Sequence, residues 1–314
     1  MKKILITGGT GFVGKHLAQL LTQDPTVELH LTTHRSSTPS SNNIIFHSID
    51  LNHQESVDAL IQTLQPQEIY HLAAFASVAD SFSQPATVLS NNYHLTLNLL
   101  EAVRLYSPSS KILLISSADI YDKSLNSPID ENRLLKPSNP YAASKAAQDF
   151  LAQAYQQSFN LSIIIARPFN HIGPGQKTGF VVADFASSII QAKLNKQASI
   201  IKVGNLDAKR DFTDVRDMVQ AYHLLMSKGQ SGEIYNIGSG RTIKISDLLD
   251  QLITLSQTHI QIEIDPHKLR PIDYPEISVD NRKITTLGWQ PQIIFKQTLV
   301  DILDYWHDII NQQI

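Results

Sequence analysis

Cysteine is absent from the 314 residues. That excludes a disulfide framework, a thiolate metal site and a nucleophilic thiol. An excess of positive charge is also missing. The 26 Lys plus Arg stand against 29 Asp plus Glu, a formal net charge of -3. This is no footprint for nucleic acid or for an anionic membrane surface. Nor does any stretch approach the ~20 apolar residues that cross a bilayer. The run Ile4-Leu5-Ile6 after Lys2 and Lys3 is ended at once by Thr7-Gly8-Gly9, too soon for a secretory core. His30 and His34 are four apart, but on a strand they lie too far from each other to share one ion, so no metal is expected. The expectation is a soluble, cytoplasmic protein with neither a nucleic-acid nor a membrane partner. What is present is core-forming: 42% of the residues are hydrophobic. The length suits one large α/β unit or two modest domains.

The first segment carries the clearest signal. Lys3-Ile4-Leu5-Ile6-Thr7 reads as a buried strand. Gly8, Gly11 and Gly14 follow three apart, with Thr10, Phe12 and Val13 between them, and helical periodicity then runs over 16–21. Strand, glycine turn and helix in this order let backbone approach a phosphate closely. The helix N-terminus then offers N–H groups and a positive dipole end to a pyrophosphate. The second strand, 27–33, ends in Thr33-His34-Arg35-Ser36-Ser37. A dinucleotide fold has an acid here for NAD, or an arginine for a 2′-phosphate. With Arg35 and no acid, NADP(H) is favoured over NAD(H). The stretch 36–43 is the most loop-like and is expected to order around that phosphate.

Further strands are read at 44–49, 68–72, 111–115 and 161–166, with helices at 56–64, 86–106 and 141–159. Asp50 and Leu51 end the third strand where an adenine would lie. Leu72 ends the fourth, and the small Ala73 and Ala74 after it let a cofactor pass. Alternation of strand and helix argues a parallel, doubly wound sheet with right-handed crossovers.

Tyr141 and Lys145 are four apart on one helix face. An ammonium near a phenol favours the phenolate and draws its pKa down. Such a tyrosine can exchange a proton with a carbonyl or an alcohol.

The glycine motif, Asp50-Leu51, His71-Leu72-Ala73-Ala74, Ser116-Ser117 and Tyr141-x-x-x-Lys145 together resemble the extended short-chain dehydrogenase/reductases, over essentially the whole chain. The segment 167–176 (Arg-Pro-Phe-Asn-His-Ile-Gly-Pro-Gly-Gln), with Gly179-Phe180-Val181, 210–217 and Leu269-Arg270-Pro271, is similar to the members that act on GDP-linked 6-deoxyhexoses. The resemblance implies NADP(H)-dependent reduction of the 4-keto group of GDP-4-dehydro-6-deoxy-D-mannose. Tyr141 is then the proton donor, and Lys145 binds the nicotinamide ribose and lowers the Tyr141 pKa. Ser117 hydrogen-bonds the substrate oxygen. Phe169 joins the cofactor wall. Ala118, Asp119, Asn170, Phe180 and Val181 contact substrate, and Arg210 and Arg270 clamp its diphosphate. The alternative is a 4,6-dehydratase or epimerase that recycles its cofactor. Related dehydratases carry glutamate where this chain has Asp119, and an acid or hydroxyl before it. Ala118 can protonate no leaving group, which speaks against dehydration. Asp122 stands where the family has glycine.

The resemblance also implies a Rossmann-type doubly wound parallel sheet with a smaller α/β substrate-binding domain. The cofactor domain is 1–167, with 211–237 and 283–314 returning to it. The nucleotide-sugar domain is 168–210 with 238–282. Helices are read at 180–194, 215–227, 246–256, capped by Ser246, and 296–310. Family members pair through the helices read at 86–106 and 141–159, so a homodimer is expected.

Overall fold

The computed structural model describes residues 1–34, 43–124, 128–195, 199–269 and 273–312. Arg35, the loop after it and Arg270 lie outside the described residues. A seven-stranded parallel sheet runs β3-β2-β1-β4-β5-β6-β10. Its strands are β1 (Lys2–Thr7), β2 (Val27–Thr33), β3 (Ile44–Ser48), β4 (Glu68–His71), β5 (Lys111–Ile115), β6 (Ser162–Pro168) and β10 (Ile234–Ile237). The order reverses between β1 and β4. A crevice therefore opens at their carboxyl ends, where ligands bind in such sheets.

Strand periodicity divides the core. Ile4, Ile6, Leu29, Leu113 and Ile164 pack on one face, against α1 (Phe12–Leu21) and α7 (Val215–Lys228). Leu5, Ile69, Ile112, Leu114, Ile163 and Ile165 pack on the other, against α2 (Gln54–Leu64), α4 (Pro85–Tyr106) and α5 (Pro140–Phe159). Both faces are covered, so these strands read as unbroken apolar runs. A short helix that the sequence did not announce, α3 (Val78–Ser83), precedes α4 and is capped by the Ser77 side chain. On β2, His30 bonds Glu28 at 2.9 Å and His47 at 2.8 Å.

The remaining elements build a second unit. A small sheet joins β7 (Asn170–Ile172), β9 (Lys209–Asp214), β11 (Thr242–Lys244) and β13 (Glu276–Ile277). Strands β8 (Ser199–Val203) and β12 (Ile260–Ile264) pair in parallel. Helices α6 (Val181–Asn195), α8 (Ile245–Ser256) and α10 (Phe295–Asn311) share one core through Phe185, Ile189, Leu248, Leu252, Leu299 and Ile302. The last helix therefore packs with α6 and α8, where a return to the large sheet was expected. Its apolar stripe fits their faces, whereas α9 (Arg282–Thr286) and Trp289 do lie against the large sheet. Ser246 is not the cap of α8. The helix starts at Ile245, and the Ile245 and Ser246 amides are satisfied by the carbonyls of Ala208 and Leu206 at 3.0 Å each. Among the described residues, no helix is long and apolar enough to cross a membrane.

Candidate active site

The glycine turn closes tightly at the end of β1. Gly8 has φ of +70°, and a Cβ there would meet the Ala73 backbone at 3.0 Å. A Cβ on Gly14 would lie 2.4 Å from the Gly8 carbonyl oxygen. Glycine is thus demanded by close approach at one position and by backbone conformation at the other. Helix α1 begins after Gly11 with no side-chain cap and no acid in its first turn. Its first N–H groups face the crevice as a cradle for an anion. This arrangement fits a dinucleotide pyrophosphate.

A single cavity of about 1140 Å³ runs from this cradle to the second unit. Gly8, Thr10, Gly11, Phe12, Val13 and Gly14 line one end, with Asp50, Leu51, Leu72, Ala73 and Ala74 beside them. Ser117, Ala118, Asp119, Tyr141 and Phe169 line the middle, and Asn170, Phe180, Val181 and Arg210 the far end. Residues named for one site from distant parts of the chain thus share one space. Lys145 alone of the described candidates is not in the wall. It is buried, and its ammonium donates to the Ile115 carbonyl at 2.6 Å.

Ser117 follows β5 and caps the short turn Ala118–Ile120, its Oγ accepting from the Asp119 N–H at 3.1 Å. Tyr141 enters from the first turn of α5. There Asn139 caps the helix by accepting from the Ala142 N–H at 2.8 Å, and Pro140 pre-sets the backbone. Burial pushes the Tyr141 phenol well above its ordinary range, the nearby Asp119 charge adds to this, and a hydrogen bond with Ser117 opposes both. Burial draws the Lys145 ammonium down to about 7, with Asp149 opposing. The expected depression of Tyr141 by Lys145 is therefore absent. Both groups are desolvated, and the ammonium is engaged by Ile115.

A buried relay braces this helix from behind. The Asn92 amide donates to Ser144 Oγ at 2.9 Å and to the Phe75 carbonyl at 3.2 Å, and its Oδ1 accepts from the Phe75 N–H at 2.7 Å. Ser144 Oγ in turn donates to the Tyr141 carbonyl at 2.8 Å. At the far end, the Arg210 guanidinium donates to the Tyr274 carbonyl at 2.8 Å and pairs with Asp273.

Sequence reasoning missed Lys123. Its side chain is only 6% exposed, lines the cavity and pairs with Asp119. The signal was an acid and a lysine four apart, hidden because no helix spans them. Asp122 needs no glycine conformation, since it is not among the positive-φ residues Gln65, Asn160 and Gln257. Its carboxylate instead accepts from the Ser124 N–H at 3.0 Å, closing the turn that carries Lys123.

The sequence profile described as GDP-mannose 4,6 dehydratase matches residues 5–302. A GDP-6-deoxy-D-mannose reductase from Pseudomonas aeruginosa is 36% identical over 315 residues, covering 99% of each chain. A dTDP-glucose 4,6-dehydratase from Haemophilus influenzae is 31% identical, covering 95% of this chain and 96% of that one. Among solved structures, RMD from Pseudomonas aeruginosa complexed with NADPH superposes with a TM-score of 0.86 at 34% identity, covering 98% and 100% of the two chains. UDP-glucose 4-epimerase from Thermotoga maritima, with UDP-glucose, gives 0.89 at 26% identity, covering 98% and 99%.

Proposed function

This chain belongs to the GDP-mannose 4,6 dehydratase family, within the extended short-chain dehydrogenase/reductases, and from that membership we propose that it is an NADP(H)-dependent reductase. Its substrate is GDP-4-dehydro-6-deoxy-D-mannose and its product GDP-D-rhamnose. The reading is carried by Tyr141 and Ser117 lining the same cavity as the glycine cradle, beside an alanine with no proton to give a leaving group. The full-length likeness to a GDP-6-deoxy-D-mannose reductase supports the substrate. The likeness to a protein solved with NADPH supports the cofactor.

The cradle from Gly8 to Gly14 would hold the pyrophosphate, Asp50 and Leu51 the adenine, Phe169 the wall, and Tyr141 with Lys145 the nicotinamide ribose. Arg35 would take the 2′-phosphate. When bound, the nicotinamide supplies the hydride. The protein's own part is to stabilise the negative charge that grows on the ketone oxygen. Ser117 donates a hydrogen bond to that oxygen. Tyr141 is fully protonated at neutral pH, because burial holds its proton on, and it delivers that proton to the same oxygen. Lys145 lies one turn further along α5, and its part is to hold the nicotinamide ribose. Asn170, Phe180 and Val181 shape the sugar end, and Arg210 with Arg270 would clamp the diphosphate. We assign the sugar-nucleotide half to 168–210 and 238–282. Exposed Leu89 on α4 and Phe150 and Phe159 on α5 support pairing of two copies through those helices. The compartment proposed is the cytoplasm.

The test is consumption of NADPH with GDP-4-dehydro-6-deoxy-D-mannose, followed by product analysis, with NADH as the comparison for Arg35. One reduced sugar per NADPH supports the reading. Conversion of a sugar nucleotide with no net NADPH loss would assign a dehydratase or epimerase instead.

A further inference from the structure

The Asp119 carboxylate is close enough to the proton donor for its charge to act on Tyr141. Its side chain is 34% exposed and lines the cavity. A 4-keto sugar has acidic C–H bonds on the carbons flanking the ketone. A carboxylate beside the ketone is a natural base for those protons. Removing one leaves an enolate and a carboxylic acid, and return of the proton from either face scrambles the centre. A reductase must leave these bonds intact, yet this chain keeps an acid there.

The structure also supplies a restraint. The Lys123 ammonium is almost wholly withdrawn from solvent and pairs with Asp119. The turn that carries it is closed by Asp122, whose own N–H donates to the Leu134 carbonyl at 2.8 Å and whose carboxylate has Lys136 at 3.8 Å. Resting on the keto-reductase reading above, we propose that Lys123 is a positioning residue that decides the reaction. It holds Asp119 as an ionised acceptor for a sugar hydroxyl and prevents it from acting as a base toward the carbons flanking the ketone. An adjacent ammonium favours the charged form of a carboxylate and so weakens it as a base. It also offsets the repulsion between Asp119 and the negative charge that grows on the ketone oxygen.

The experiment uses the full chain, GDP-4-dehydro-6-deoxy-D-mannose and deuterium oxide. Deuterium entry at the carbons flanking the ketone is followed by mass spectrometry without reduced cofactor, against an enzyme-free control. NADPH turnover is measured in parallel. The native protein reduces the sugar and adds no deuterium above the control. Lys123→Met still binds NADPH, loses about 10- to 100-fold in kcat as the sugar and Asp119 lose their register, and gains deuterium entry. Lys123→Arg restores the native pattern. Asp119→Asn added to Lys123→Met abolishes the gained exchange. Asp119→Asn alone, an isosteric change, raises KM by replacing a charged hydroxyl acceptor with a weaker neutral one. Native kcat with no exchange in Lys123→Met, exchange that persists without Asp119, or native kinetics in Asp119→Asn would each overturn the proposal. Failure of the native protein to reduce the sugar at all would instead overturn the reductase reading.

Discussion

Arg167→Met should cost about 3–5 kcal/mol of folding stability, the range for breaking a buried ion pair from one side. The Arg167 and Asp149 side chains are 3% and 0% exposed and meet through two hydrogen bonds of 2.9 Å. A third guanidinium nitrogen donates to the Tyr121 hydroxyl at 2.8 Å, which donates in turn to Asn236 Oδ1 at 2.7 Å. The guanidinium also lies over the Tyr121 ring, 4.9 Å from its centroid. Methionine fills the space but leaves Asp149 charged in a dry site, where the neutral Gln153 amide, donating at 2.7 Å, does not replace the guanidinium. Removing both charges, with Arg167→Met and Asp149→Leu together, should recover most of the loss, because a buried pair is often replaceable by apolar residues of similar size. The assay is equilibrium urea unfolding of the two single variants and the double variant. A loss under 1 kcal/mol in Arg167→Met, or additive losses in the double variant, would refute the reasoning. The same network reaches the site, because Asp149 holds the Lys145 pKa up. A stable double variant should therefore lose its Lys145 proton at lower pH than the native protein.

Three further outcomes follow from the site. Tyr141→Phe removes the proton donor and should lower kcat by ~10²–10⁴ while NADPH affinity, measured by fluorescence titration, stays near native. Lys145 is charged below about 7 and neutral above it in the free protein. If the ammonium assists Tyr141, kcat/KM should fall as pH rises through about 7, and Lys145→Arg, which stays charged, should lose that alkaline limb. The sign for stability runs the other way. The unfolded lysine binds its proton up to about 10.4, so the burial penalty is full below about 7 and is relieved as pH rises between those values. Gly14→Ala places a Cβ 2.4 Å from the Gly8 carbonyl. It should abolish NADPH binding by forcing the cradle open, as read by loss of fluorescence quenching in a protein whose far-ultraviolet circular dichroism is otherwise native.

The large sheet was legible because buried parallel strands are short, unbroken apolar runs, as at Ile4-Leu5-Ile6 and Ile112-Leu113-Leu114. The glycine turn was legible because two close approaches tolerate no side chain. The small sheet was not, since β7, β11 and β13 have only two or three residues each and no period can show in so few. The start of α8 was misread because backbone carbonyls of Ala208 and Leu206, remote in sequence, do the work that a capping side chain was expected to do. The stripe of α10 was plain, but a stripe does not say which face it meets. At the site, residue types announced Ser117, Tyr141 and Lys145, whereas their protonation did not follow from spacing. Burial dominates both titrations, and burial is a property of the assembled fold. Lys123 escaped notice for the same reason: its partnership with Asp119 depends on the turn that Asp122 closes.

The most direct measurement is the stoichiometry of NADPH oxidation by the native protein with GDP-4-dehydro-6-deoxy-D-mannose, followed by absorbance, with Tyr141→Phe alongside. The account predicts one GDP-D-rhamnose formed per NADPH consumed, and near-complete loss of the rate in the variant. Turnover of a sugar nucleotide with no net change in NADPH, or an unchanged rate in Tyr141→Phe, would contradict it.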